Sequence, residues 1–126
     1  MRLLLDSHVV LWWMVDDQAL GPVTRAHISE ADEVYFSAVT PWELGIKRSL
    51  GKLLLPDGAL GDIESAGFSP LSISPLDGER AAGLPLLHRD PFDRMLVAQA
   101  SGNDLTLVSA DRRLGEYDVT LLDART

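Results

Sequence analysis

No cysteine occurs among the 126 residues. That excludes disulfides, zinc–thiolate sites and a thiol nucleophile, and it suits a reducing cytoplasm. Long apolar runs are missing as well, and nothing approaches the length needed to span a bilayer, so no membrane partner is expected. The run Leu3–Leu5 is too short for a secretory signal and is closed by Asp6. There is no Gly-x-Ser-x-Gly elbow, no Walker-type phosphate loop and no Gly-x-Gly-x-x-Gly turn. His8, His27 and His88 have no zinc spacing, and His27 and His88 are expected in structural roles. Basic residues are scarce: 11 Lys and Arg stand against 19 Asp and Glu, a net charge of −8. The overall field should therefore attract polyanions weakly.

What is present is ordinary for a globular domain: 46% hydrophobic and 24% charged residues in a length close to the commonest domain size. Residues 1–126 read as one domain, without repeat, linker or low-complexity tract. Strands are expected at 2–5, 34–39, 68–73, 105–108 and 119–122. Helices are expected at 7–16, 22–31, 40–50, 59–66, 76–84 and 91–100. Gly51 suits a helix C-terminus, and Pro70 places the third strand near a sheet edge. Alternating strands and helices predict an α/β fold with a central, mostly parallel sheet flanked by helices. Ligands of such folds bind beyond the carboxyl ends of the strands.

Acids fall at those ends. Asp6 closes the first strand, and Asp111 follows the fourth. Glu43 and Asp93 sit in the first turns of expected helices, and Asp90 precedes Asp93 by three residues. Helix capping accounts for each acid singly: Thr40-Pro41-Trp42-Glu43 and Asp90-Pro91-Phe92-Asp93 fit capping boxes, and Asp6 and Asp111 fit N-caps. Capping does not predict that the acids converge, whereas a site on the rim of the sheet does. Carboxylates gathered at one point repel, and a hard divalent ion such as Mg²⁺ or Mn²⁺ relieves that repulsion. Setting those five charges aside lowers the acidic excess from −8 to −3. Such ions grip a phosphodiester and lower the pKa of a bound water. The helix at 91–100 is apolar on more than one side, so Asp93 is expected near the interior with a partner.

Neighbouring residues extend the pattern. Lys47 lies four residues after Glu43, giving either a helical ion pair or a phosphate contact. Arg89, Arg94 and Arg112, with Arg113, flank the other acids and suit phosphate recognition or plain solvation. Ser7 and Ser109, beside Asp6 and Asp111, are expected to orient a carboxylate or a bound water, or to cap a helix. Trp12, Trp13 and Trp42 are expected in the core or at a subunit contact.

Four segments then carry a resemblance: Leu-Leu-Leu-Asp-Ser-His at 3–8, Ser-Ala-Val-Thr-Pro-Trp-Glu-Leu at 37–44, His-Arg-Asp-Pro-Phe-Asp-Arg-Met-Leu-Val-Ala-Gln-Ala at 88–100 and Leu-Val-Ser-Ala-Asp at 107–111. In order and extent they resemble PIN-domain ribonucleases, more narrowly the VapC toxins of bacterial toxin–antitoxin pairs. The resemblance implies a PIN-like three-layer fold, Mg²⁺- or Mn²⁺-dependent cleavage of RNA, a homodimer and a cognate antitoxin. By position it implies Asp6, Glu43, Asp93 and Asp111 as catalytic metal ligands, with Asp90 behind them. Ser109 stands where the family often has Thr, which keeps the hydroxyl. Other readings are a PIN nuclease of RNA processing, a receiver-like phosphoacceptor domain and a non-catalytic partner-binding module. The receiver reading lacks the adjacent acids after the first strand and the lysine after a late strand.

Overall fold

The computed structural model describes residues 1–59 and 61–126. Its centre is a parallel sheet whose strand order is set by one switch of direction. Strand β1 (Arg2–Leu5) is central, β2 (Glu33–Ser37) and β3 (Ser69–Leu71) lie on one side, and β4 (Thr106–Ser109) and β5 (Leu121–Asp123) on the other, giving the order β3-β2-β1-β4-β5. All four pairings are parallel, with Leu5 opposite both Phe36 and Val108. The crevice between β1 and β4, where the chain reverses its order of strands, is the place where such sheets bind ligands.

The pleat divides Leu3-Leu4-Leu5 between two cores. Leu3 and Leu5 face a cluster with Val9, Val10, Ile28, Ile63 and Phe68, whereas Leu4 faces Val39, Leu96, Val97, Ala100 and Leu107. All three leucines are fully buried, as a central strand covered on both faces requires. The first cluster is roofed by α1 (Ser7–Val15), α2 (Pro22–Glu30) and the short α4 (Asp62–Ser65), and the second by α3 (Val39–Ser49) and α6 (Pro91–Gly102). Helix α5 (Pro75–Gly83) packs against α6. This is the expected three-layer α/β architecture, and Pro70 sits in the edge strand, as its missing N–H dictates.

Several boundaries differ from the sequence reading. Strand β2 stops at Ser37, whose hydroxyl accepts the Val39 N–H at 3.1 Å, so α3 starts before Thr40. Thr40 is therefore inside the helix, and no side chain caps α3. The expected helix 59–66 shortens to Asp62–Ser65, and its residue Leu60 lies outside the described residues. The helix that Asp111 was expected to cap is a short 3-10 helix, Arg112–Glu116. Helix α5 is capped by a reciprocal Ser74–Asp77 pair, and Gly51 ends α3 in the left-handed region at φ 71°. Among the described residues no helix is long and apolar enough to cross a membrane.

Candidate active site

Five carboxylates line one cavity of about 410 Å³ at the carboxyl ends of β1 and β4: Asp6, Glu43, Asp90, Asp93 and Asp111. Ser7, Lys47, Trp12, His8 and Arg125 complete most of its wall. Each acid arrives by a separate local device. Asp6 caps α1 and accepts the Val9 N–H at 2.9 Å. Asp111 caps the 3-10 helix through the Arg113 N–H at 3.1 Å. Asp90 caps α6, taking the Phe92 N–H at 2.9 Å, and so sets Asp93 in that helix's first turn. The caps expected at these three positions are present, and they coexist with convergence on the cavity.

Glu43 is different. Its capping role is not realised: the carboxylate is buried, taking a hydrogen bond from Ser7 Oγ at 2.6 Å and an ion pair from Lys47 Nζ at 2.9 Å. Ser7 Oγ also lies 3.2 Å from Thr40 Oγ1, so the hydroxyl anticipated as a helix cap serves the site instead. The other serine holds the other buried acid. Ser109 Oγ donates to Asp6 and accepts the Asp111 N–H at 3.1 Å. Asp6 and Asp111 are thus joined through one hydroxyl at the end of β4.

Environment separates the protonation of the acids. Burial pushes the Asp6 carboxyl up from the ordinary range, against the opposing pull of Ser109 and the Val9 N–H. Asp93 is pushed up to about 7, first by burial and then by the charges of Asp90, Asp6, Glu43 and Asp111. No donor reaches its carboxylate among the described residues, so the partner expected for it is not supplied by the protein. Asp111 is held below its usual range by Arg113, whose Nε and Nη2 bind it at 3.0 and 2.8 Å.

The donor set is all hard oxygen and strongly anionic, which fits Mg²⁺ or Mn²⁺. Its arrangement is not that of a closed ligand shell. Among the described residues, no group of three or more acidic or histidine side chains stands so that it could hold a metal ion as it is. The hydrogen bonds give the reason: Lys47 and Ser7 occupy Glu43, and Arg113 occupies Asp111. Ligation needs these protein cations to yield to a stronger one.

The basic residues divide. Lys47 lines the cavity, and Arg89 lines a neighbouring depression with Lys47, Asp90 and Phe92. Arg94 corrects its expected role. It is buried, and its guanidinium donates to the carbonyls of Ala81, Leu84, Pro85 and His88. It cannot face RNA there; it ties the 84–90 segment to α6. Arg112 turns to Asp123 at 2.9 Å and does not line the cavity. Trp13 packs against Phe68, while Trp42 is 64% exposed and meets Phe92 edge-on at 5.0 Å. His27 is half-buried on α2, and His88 is buried with its backbone N–H on the Tyr117 hydroxyl. Arg125, His8 and Trp12 were not anticipated in the wall. Arg125 is distant in sequence from every acid but the last, and only the pairing of β5 with β4 brings it there.

Comparison with known proteins agrees with this geometry. The family profile of the PIN domain matches residues 3–119. Ribonuclease VapC22 of Mycobacterium tuberculosis (strain ATCC 25618 / H37Rv) is 31% identical over 117 residues, covering 90% of each chain. In VapBC2 from Rickettsia felis bound to a promoter DNA fragment, a chain superposes with a TM-score of 0.73 at 12% identity, over 98% of both chains. A chain of VapBC-1 from nontypeable Haemophilus influenzae gives 0.69 at 16% identity over the whole of both.

Proposed function

The chain belongs to the PIN-domain family, and on that premise we propose that it is a metal-dependent endoribonuclease, the toxin of a VapBC-type pair, acting as one domain in the cytoplasm. The observation that carries the reading is the convergence of five carboxylates from separate segments on one cavity at the sheet's switch point. Asp6, Glu43, Asp93 and Asp111 would hold Mg²⁺, or Mn²⁺ in its place, with Asp90, Ser7 and Ser109 supporting them. Bound there, the ion supplies charge for the phosphodiester's transition state and acidity for the attacking water.

The protein's own groups do the rest. Ser109 fixes Asp6 and Ser7 fixes Glu43, so two buried acids hold their rotamers before substrate arrives. Asp93, pushed up to about 7, is partly protonated near neutral pH in the ion-free chain, so filling of the site would release protons. Lys47 and Arg89 line one depression beside the acids and would hold the RNA backbone, Lys47 on leaving Glu43. A cognate antitoxin that covers the acidic cavity and a second copy of the chain are the protein partners of this reading.

The test is cleavage of a structured RNA pool by the purified chain with Mg²⁺ or Mn²⁺ against EDTA, beside Asp93→Asn. Metal-dependent cuts absent from the variant are expected. Cleavage by Asp93→Asn equal to that of the wild type would sink the assignment.

A further inference from the structure

Arg125 is the feature of the cavity that the nuclease reading leaves unused. It lines the same cavity as Asp6 and Asp111, yet it makes no ion pair and, its backbone N–H apart, no hydrogen bond as donor among the described residues. Four other cations nearby are engaged, Lys47 with Glu43, Arg113 with Asp111, Arg112 with Asp123, and Arg94 with buried carbonyls, and Arg89 lines a neighbouring depression rather than this cavity. The Arg125 guanidinium rests instead over Trp12, its Cζ 5.2 Å from the ring centroid. That contact orients a guanidinium without using its N–H donors.

The backbone beneath it is fixed from three directions. Gly21 N–H donates to the Ala124 carbonyl at 2.9 Å, and Val23 N–H to that of Thr126 at 3.0 Å. Thr24 Oγ1 donates to the Asp123 carbonyl at 3.0 Å, and the Arg125 N–H to the Asp123 carboxylate at 3.0 Å. The approach is so close that a Cβ on Gly21 would lie 2.5 Å from the Arg125 carbonyl oxygen. Segment 123–126 is therefore docked on the start of α2, and Arg125 is an anchored cation.

We propose that Arg125, oriented by Trp12, binds an RNA phosphate adjoining the one that is cut, at the β5 end of the cavity. Arg112 and Arg113 on this flank are already held by carboxylates, so in a chain of net charge −8 Arg125 is a cation with donors to spare for a phosphate. Arg125 is a binding residue and Trp12 its positioning residue. The inference rests on the nuclease reading of the cavity, and its test separates the two.

The full chain is titrated with a single-stranded RNA oligonucleotide in Ca²⁺ across a range of salt, and cleavage is measured in parallel with Mg²⁺. Arg125→Ala should weaken binding about five- to tenfold and reduce the log–log salt slope by about 0.7, one phosphate contact on a single strand. Arg125→Lys should restore the slope, and Trp12→Phe should weaken affinity with the slope kept. Lys52→Ala, an exposed cation outside the cavity, controls for lost net charge. In cleavage, Arg125→Ala should raise KM with kcat within about twofold. Equal affinity and slope in wild type and Arg125→Ala, or an equal loss in Lys52→Ala, overturns the proposal while cleavage by the wild type keeps the nuclease reading. RNA binding that depends on Arg125 without metal-dependent cleavage removes the nuclease reading and overturns the placement beside a cut phosphate, leaving Arg125 as a phosphate contact alone. No RNA binding by the wild type overturns it as well.

Discussion

Replacing Asp93 with Asn should make the ion-free protein more stable while disabling it. The Asp93 carboxyl is raised from 3.8 to about 7 by burial and by its acidic neighbours. Because the folded value exceeds the unfolded one, the native state binds more protons between about pH 4 and pH 7, and stability falls as pH rises through that window. Three units at about 1.4 kcal/mol each give roughly 4 kcal/mol at face value. Asp93 is only half-buried, and solvent screening cuts this to about 2 kcal/mol. Asparagine keeps the shape and removes the charge. In EDTA at pH 8, thermal unfolding of Asp93→Asn should occur about 6–10 °C above the wild type for a domain of this size. At pH 5 the advantage should shrink to about a third. Asp6, raised by burial, and Asp111, lowered by Arg113, contribute pH dependence of opposite sign, and comparing variant with wild type cancels both to first order. Millimolar Mg²⁺ should raise the wild type toward the variant, by mass action on a native-state site, and move the variant less. A variant no more stable than wild type at pH 8, or one whose advantage is the same at pH 5, would refute the account of a charge penalised by burial and by its acidic neighbours.

Three other perturbations follow from the hydrogen bonds of the site. Arg113→Ala frees Asp111 from an exposed ion pair, so the Mg²⁺ concentration giving half of the maximal thermal shift should fall by up to about fivefold; an unchanged midpoint would show that Arg113 does not compete. Ser109→Ala strips Asp6 of its buried donor and should cost about 1–2 kcal/mol in urea unfolding at pH 8, less at pH 5, where Asp6 keeps its proton more easily. Arg94→Ala leaves several buried carbonyls without a donor and should cost about 3 kcal/mol or more, with Arg94→Lys recovering part of it; a loss below 1 kcal/mol would contradict its role as a tie.

The sheet and its acids were legible because their signals are local. Leu3–Leu5 followed by Asp6 marks a buried strand and its exit, and Asp90-Pro91 marks a helix start whatever surrounds it. What escaped the sequence was the choice of partner for groups with several options. Thr40 and Glu43 make a sound capping box on paper, but the Ser37 hydroxyl takes the turn first, and the pair is left to serve Ser7 and Lys47. Arg94 looks like its neighbour Arg89, and only the packing of α5 on α6 decides that one is a buried tie and the other solvent-exposed. Arg125 carries no local signal at all, because its place depends on β4 and β5 pairing and on Gly21 lacking a side chain.

The two outer strands have a bearing on assembly. Both β3 and β5 are only three residues long, and β3 contains Pro70. A short rim interrupted by proline is a poor template for another chain's backbone, which discourages strand addition and cross-β growth. Whatever docks on this protein, a second copy included, must then read side chains on its helices and loops. Recognition of that kind can change one residue at a time without touching the ladder of the sheet, so partner choice and fold are free to vary separately.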